Sequence, residues 1–476
     1  MEENNLIFSI SGIRGIFGKN LNKNIIEKIA IAYGKWLEGD TKKVLIGRDT
    51  RPSGEIIEKS LIEGLTSTNC EVINLGICPT PIIIYTKNKF NIPGGIVISA
   101  SHNPPEWNGL KLLSSRTFLS EIELNEIKKI LDHVKLNKLK ERKTPKISDL
   151  KKYNPVQTYI KDLYNFINLN DIQKKNNLRV AIDTGAGTGK LATPHILKDL
   201  GCEVKVINND LTENNKFPRE IEPVEKNLED LKTIVLSENC DVGFAHDCDA
   251  DRLAIIGNDG TYYPEDIGLA LITDHYLNHF KESKKKMIFV TNLASSLIFD
   301  VLAERYNAQI IRTPIGERYL AEELDKLITK EKDASIIFGG EGSCGGVMLP
   351  QFNNTRDGIF AAAKLIEILV ETNEVISNLV MKLPKFYSFR EYINIEKRNL
   401  RKIREQLKMQ LISDGQEVSQ IGSDLKYGLG NDWFVLIHPS NTEPILRVIS
   451  EAKNESLAKN NLINASDRIK SIINKE

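Results

Sequence analysis

The chain has 476 residues, 41% hydrophobic and 27% charged, with 64 Lys+Arg against 64 Asp+Glu. That is an ordinary soluble globular balance, long enough for about three or four domains. The absence of net charge excludes partners recognised by bulk charge, nucleic acid and membrane surfaces alike. The six cysteines are scattered without a CxxC pair, which points to reduced thiols in a cytoplasmic protein rather than a disulfide framework. The opening MEENNLIFSI has neither the basic flank nor the apolar stretch of a signal peptide. No apolar run approaches the ~20 residues of a membrane span.

In chain order, residues 24–37 have helical spacing, with Ile25, Ile29, Ala32 and Trp36 on one face. A short apolar strand is expected at 44–47, a helix at 55–65, and strands at 72–75 and 95–99. This alternation argues a parallel sheet covered by helices. The basic stretch 135–155 reads as a solvated linker. The same rhythm returns with RVAID (179–183) and CEVKVIN (202–208), then with MIFVTN (287–292), QIIRTP (309–314) and SIIFGG (335–340). The last hundred residues look like a smaller α+β module. Four domains are therefore expected, at 1–150, 151–257, 258–373 and 374–476.

Two stretches carry most of the chemistry. In GGIVISASHNPPEWNGLKLL (94–113) a buried strand ends abruptly in Ser101, His102 and Asn103. Ser101 reads there either as a turn or cap residue or as a nucleophile. In DVGFAHDCDADRLAIIG (241–257), Asp247, Asp249 and Asp251 stand at i, i+2 and i+4 between apolar strands. On an extended chain they share one side about 6.5–7 Å apart, where each pair repels by roughly 2.5 kcal/mol at an effective dielectric of about 20. A cation between them, with Mg²⁺ suited to such oxygen ligands, relieves this. The alternatives are a solvated acidic turn or the DxD of a glycosyltransferase. An EF-hand is excluded by the lack of Gly and Glu at its loop positions six and twelve.

Other signals are weaker. DTGAGTGK (183–190) fails the P-loop pattern, since Thr184 and Leu191 stand where Gly and Ser/Thr are needed. It reads instead as a glycine-dependent strand-to-helix turn. GGEGSCGG (339–346) offers Glu341 and Ser343 in a flexible loop. HPSNTEPILR (438–447) gathers Ser440, Asn441 and Thr442 with Arg447, a set able to cradle a phosphate. Each of these is equally readable as a polar turn.

Five stretches occur in one order: SGIRG (11–15), SASHNPPEWNGLK (99–111), DCDADR (247–252), GEGSCGG (340–346) and HPSNTEPILRV (438–448). Together they closely resemble the α-D-phosphohexomutase family, the phosphoglucomutases, phosphomannomutases and phosphoglucosamine mutases, over essentially the whole chain. The resemblance implies three topologically related α/β domains with mixed sheets plus a C-terminal α+β domain, around a central cleft. It implies an isomerase moving phosphate between C1 and C6 of a hexose phosphate through a phosphoserine at Ser101. One Mg²⁺ per chain would be held by Asp247, Asp249, Asp251 and the Ser101 phosphate, with a hexose 1,6-bisphosphate as intermediate and activator. Arg14 and Lys111 would flank the reacting oxygens, Arg252 would face the phosphoryl group, and His102 would help orient the serine. Glu341 and Ser343 would contact sugar hydroxyls. His438, Ser440, Asn441, Thr442 and Arg447 would grip the distal phosphate, and Gly316, Glu317 and Arg318 stand where the family places a further substrate loop. The implied partner is a hexose phosphate, with no nucleic acid or membrane, for a monomer or homodimer.

Three positions depart from the family's pattern: His438 replaces the usual Arg, Cys248 a Gly, and Cys344 a Gly or Ala. A neutral imidazole is a weaker phosphate ligand than a guanidinium. A side chain at 248 either restricts the metal loop or turns away from it. Within the family the SHNPPEWNGLK wording favours the phosphoglucomutase/phosphomannomutase branch, with phosphoglucosamine mutase the alternative. A non-catalytic sugar-phosphate-binding relative and a metal-dependent glycosyltransferase are the readings from other classes.

Overall fold

In a computed structural model of the chain, the residues described are 6–9, 12–39, 42–136, 147–148, 154–331, 335–342, 345–395, 400–439 and 444–474. The chain divides into two compact units, Met1–Ile272 with Cys344–Leu379, and Thr273–Ser343 with Val380–Glu476.

The first unit opens with a seven-stranded sheet, mixed rather than wholly parallel. Strands Lys43–Arg48, Glu71–Ile77 and Gly94–Ile98 run parallel, with Gly94–Ile98 beside Lys43–Arg48. Trp107–Leu113 then returns antiparallel beside Gly94–Ile98, and Gly12–Ile16 pairs antiparallel with it in turn. The reversal follows from connection length. The eight residues between Gly94–Ile98 and Trp107–Leu113 are too few for a parallel crossover, which needs about a dozen. Helix Lys23–Trp36 starts where the Asn22 side chain accepts the Ile25 N–H, an N-cap. Its buried face is Ile26, Ile29, Ala30 and Tyr33, so the expected stripe is rotated, leaving Ile25 and Trp36 only partly buried. These residues pack with Val44, Ile46, Ile96, Ile98, Leu110 and Leu112 into one core.

A second sheet of the same unit holds Arg179–Asp183 between two parallel neighbours, Glu203–Ile207 and Val242–Ala245. Ala254–Gly257 lies antiparallel beside Val242–Ala245. The hairpin Gly346–Leu349/Asn353–Asp357 leads into helix Gly358–Thr372, capped by the Asp357 carboxylate on the Phe360 N–H.

The second unit contains a parallel set, Lys286–Asn292 flanked by Gln309–Thr313 and Ser335–Glu341. Its other part is a fully antiparallel five-stranded sheet in the order Tyr387–Asn394, Ile445–Ala452, Trp433–Pro439, Asp424–Leu429, Val418–Ile421. Helix Glu455–Asn474 packs on that sheet, and Leu400–Ser413 supplies Ile403, Leu407 and Leu411 to the same core.

Candidate active site

Strand Gly94–Ile98 is buried along its whole length, and the chain leaves it through Ser99 and Ala100, both 0% exposed. Ser101 then adopts a left-handed backbone, φ +52°. For a residue with a Cβ this costs about 1–2 kcal/mol, which the surroundings must supply. The Ser101 N–H donates to Ser99 Oγ at 2.8 Å, and Ser101 Oγ donates to Asp247 Oδ2 at 2.6 Å. Ser101 is therefore no helix cap. Its hydroxyl meets a carboxylate 146 residues away in sequence.

The acidic loop is not extended. After strand Val242–Ala245 the chain turns, with Ala250 at φ +59°. This brings one oxygen from each of Asp247, Asp249 and Asp251 within 4.8 Å of the others, closer than the 6.5–7 Å that a strand would allow. All three side chains are at most 1% exposed. Repulsion at this distance is roughly 3.5 kcal/mol per pair at an effective dielectric of ~20. Burial, then Asp251 and Asp249, pushes the Asp247 carboxyl well above the usual carboxylate range. Burial would also raise Asp251, but Arg356, Lys111 and Arg252 outweigh it and hold that carboxyl below its ordinary value.

Cations answer the cluster unevenly. Lys111 Nζ donates to Asp249 Oδ2 at 2.8 Å and to Asp251 Oδ2 at 3.0 Å. Lys111 reaches them because it stands opposite Val97 in the returning strand. Arg356, from the strand Asn353–Asp357, donates to Asp251 Oδ2 at 2.7 Å, and Thr80 Oγ1 to Asp249 Oδ2 at 2.6 Å. All these donors take Oδ2. The Oδ1 atoms of Asp249 and Asp251 are buried with no hydrogen-bond partner. Orphaned buried carboxylate oxygens are costly and suit a hard cation, so the residues present fit Mg²⁺.

Arg14 Nη1 donates to Asn103 Oδ1 at 2.6 Å, joining strand Gly12–Ile16 to the serine loop. Arg252 Nη2 donates to His102 Nδ1 at 2.8 Å. That cation, followed by burial, pushes the imidazole well below its ordinary value, so His102 is neutral and accepts at Nδ1. The backing of the acidic loop comes from the glycine-rich turn. Thr188 N–H donates to the Cys248 carbonyl at 2.8 Å, and Gly187 lies so close that a Cβ would stand 2.7 Å from that oxygen. His246, just before the triad, accepts from Thr193 Oγ1 and donates from Nδ1 to the Arg252 carbonyl, both at 2.8 Å. Cys248 turns to Thr50 Oγ1 at 3.5 Å, and burial pushes its thiol well up.

Ser101, His102, Lys111, Arg14, Arg252 and the three aspartates thus meet in one cluster. Thr80, His246 and Arg356 belong to it and were not singled out from sequence. A signal for Arg356 existed in the tight NNTRDG run (353–358), but nothing local shows which carboxylate it serves.

The other expected site residues belong to the second unit. Glu341 is 5% exposed and accepts from Asn292 Nδ2 at 2.9 Å. Next to it, the Gly342 N–H donates to Ser295 Oγ at 3.1 Å. His438 and Arg447 are directly opposite in neighbouring antiparallel strands, on one face of the sheet. His438 Nδ1 donates to Asp424 Oδ1 at 2.7 Å, and Arg447 Nε is buried without a hydrogen-bond partner. Arg318 lies in the first turn of helix Glu317–Glu331 and pairs with Glu322 at 3.3 Å. Ser343, Cys344, Ser440, Asn441 and Thr442 lie outside the described residues.

Comparison with known proteins agrees with this architecture. Residues 5–138, 157–260 and 264–387 match, respectively, the alpha/beta/alpha domains I, II and III of the family described as phosphoglucomutase/phosphomannomutase. A phosphoglucomutase/phosphomannomutase of Thermococcus kodakarensis is 35% identical over 95% of this chain and 96% of its own. A phosphoglucosamine/phosphogalactosamine mutase of Sulfurisphaera tokodaii is 30% identical over 97% and 98%. In fold, the chain superposes with a TM-score of 0.81 on a phosphoglucomutase/phosphomannomutase family protein from Burkholderia thailandensis, covering 98% of this chain and 97% of that one at 22% identity. The fold is therefore that of three α/β domains followed by a fourth, sheet-containing one, and the chain belongs to the α-D-phosphohexomutase family. It is accordingly an isomerase that moves phosphate within a sugar phosphate.

Proposed function

We propose that the protein interconverts the 1- and 6-phosphates of a hexose, glucose or mannose first, through a phosphorylated Ser101. The observation that carries this is the Ser101 hydroxyl 2.6 Å from Asp247, above two further aspartates with orphaned buried oxygens. Asp247, Asp249 and Asp251 would hold a Mg²⁺ together with an oxygen of the Ser101 phosphate. Such an ion supplies charge neutralisation for the transferring phosphoryl group.

In the first half-reaction the Ser101 Oγ–P bond breaks as the free sugar hydroxyl bonds to phosphorus. The hydroxyl proton ends on Ser101 Oγ, where that oxygen donates to Asp247. The second half-reaction returns the other phosphate and reverses this balance, so a 1,6-bisphosphate is the intermediate and, added externally, the activator. Lys111 holds its protons between two carboxylates, a placement that favours charge stabilisation over proton uptake. Arg14 and Arg252 line the serine loop as cations for the developing phosphoryl charge, and neutral His102 orients Arg252. Glu341 and Ser343 would read sugar hydroxyls; His438, Ser440, Asn441, Thr442 and Arg447 would grip the distal phosphate.

The sugar preference rests on the wording of the serine loop and on the 35% identical phosphoglucomutase/phosphomannomutase. Phosphoglucosamine mutase is the second reading, favoured by the Sulfurisphaera relative. Domain limits near 150, 257 and 373 belong to this proposal, though the third matched stretch runs on to 387. Among the described residues no helix is long and apolar enough to cross a membrane, and we place the enzyme in the cytoplasm.

The test compares kcat/KM on glucose-1-phosphate, mannose-1-phosphate and glucosamine-6-phosphate, each with its bisphosphate. Intact protein should carry one phosphate on the Ser101 peptide, and Ser101→Ala should abolish turnover. Undiminished activity in that variant would sink the phosphoserine mechanism, and no turnover of any sugar would favour a binding protein.

A further inference from the structure

Arg51 lies outside the motifs above, yet it heads the largest side chains fully removed from solvent among the described residues. Its planar fork of five N–H donors is completely used. Nε donates to Asp49 Oδ2 at 3.1 Å. Nη2 donates to the carbonyls of Ser101 at 2.8 Å and Asn103 at 2.6 Å. Nη1 donates to the carbonyls of Pro104 at 2.7 Å and Trp107 at 3.1 Å. Asp49 in turn accepts the Arg51 backbone N–H at 2.9 Å, and both members of this ion pair are 0% exposed.

The loop's other anchors reach mainly its side chains, Arg14 on Asn103 Oδ1, Arg252 on His102 Nδ1 and Asp247 on Ser101 Oγ, with Phe17 N–H on the Glu106 carbonyl. Pro104 and Pro105 bring no N–H. Its internal backbone bonds are Asn103 N–H to Ala100 and Trp107 N–H to Pro104. Ser101 nevertheless keeps a left-handed φ of +52°, a strain that persists only where the surroundings over-determine it. Beside the Ser101 bonds to Ser99 Oγ and Asp247, four carbonyls converging on one rigid guanidinium fix the path of the loop backbone itself. A lysine, a point charge with rotatable donors, cannot match the fork.

We propose that Arg51 is a positioning residue for the reacting serine: by clamping four carbonyls of the 101–107 loop it holds Ser101 in the left-handed conformation that aims Oγ at Asp247. The inference rests on the phosphoserine reading for its catalytic consequence, but the clamp itself is measurable without turnover.

The experiment uses full-length Arg51→Lys and, in case that variant fails to fold, Asp49→Asn, which turns an amide donor toward Arg51 Nε. Deuterium exchange of the 99–109 segment should quicken in both, with the rest of the chain unchanged. For Arg51→Lys, kcat should fall by about 100-fold, the cost of displacing a reacting group by about 1 Å. KM should stay near the parent value, and Ser101 should gain phosphate from glucose 1,6-bisphosphate correspondingly slowly. Parent-like exchange in the loop overturns the clamp. A lowered melting temperature with kcat unchanged overturns the positioning role and leaves Arg51 a stabilising residue. Quickened exchange in a protein whose parent never carries phosphate on Ser101 supports the clamp and refutes only the phosphoserine reading.

Discussion

At the scale of single residues, the site is a problem of unpaired oxygen. Thr80 and Lys111 both donate to Oδ2 of Asp249, and its Oδ1 is buried with no partner. Asp249→Asn removes a charge and puts an amide nitrogen among these atoms. We expect a loss of about 100-fold or more in magnesium-dependent kcat, measured at saturating Mg²⁺ so that weakened binding is not the cause. Retained turnover would remove Asp249 from the metal set. Asp424 fixes Nδ1 of His438 as the hydrogen-bearing nitrogen. Asp424→Asn should therefore raise KM for the hexose phosphate several-fold, the order of one hydrogen bond at about 1 kcal/mol, with kcat little changed. An unaltered KM would mean that the imidazole's orientation does not bear on binding. The triad and Ser101 were readable because each motif is local. Thr80 and Arg356 were not, since they join Asp249 and Asp251 across 169 and 105 residues of sequence.

At the scale of elements, short connections decide the geometry. The turn from Gly94–Ile98 into Trp107–Leu113 reverses the chain, and the resulting register puts Lys111 opposite Val97, one strand's width from the serine loop. The glycine-rich run 183–190, which looks like a nucleotide loop that fails its pattern, is a backing for the acidic loop instead. A Cβ on Gly187 would stand 2.7 Å from the Cys248 carbonyl and 2.9 Å from that of Asp247, both backbone atoms that cannot swing aside. Gly187→Ala should shift the acidic loop and lower kcat by about 100-fold without contact between the new methyl and substrate. A crystal structure of that variant with the loop unmoved, or full activity, would contradict this. The turn itself was expected from its glycines; its function was hidden, because the partner loop lies about 60 residues away.

At the scale of the molecule, the second unit shows how its two parts share a core. Leu293 and Leu297 pack with Phe434, Leu436 and Ile449, and the Glu451 carboxylate accepts the Leu297 N–H at 2.6 Å. Lys426 is half-buried at the same junction, donating to the Leu293 carbonyl at 3.1 Å with its ammonium 3.9 Å from the Phe434 ring centre. Burial, then Arg312, pushes this lysine down to about 7. The unfolded chain keeps its lysine protonated up to its ordinary value of 10.5, so between about 7 and 10.5 the unfolded state binds more protons. Stability from this group therefore rises with pH across that window, and the burial cost is fully present below about 7. Relative to Lys426→Met, the parent should gain roughly 2–3 kcal/mol between pH 7 and about pH 9, read from urea unfolding at both. Parallel pH profiles for the two proteins would show that Lys426 stays charged or finds water.

By itself, the sequence determined the α/β rhythm, the four-part organisation, the family and the residues of each contiguous motif. These depend on local periodicity, turn chemistry and the spacing of side chains a few positions apart, all of which are written in order along the chain. Only the tertiary structure decided that the acidic run is a turn rather than a strand, that His438 is paired, and that a buried arginine gathers four carbonyls of the serine loop. Those outcomes depend on which distant segment supplies a counter-charge, a carbonyl or a steric wall. That choice is made when sheets pack and water is expelled, where an unpaired buried group costs more than any local preference can offset.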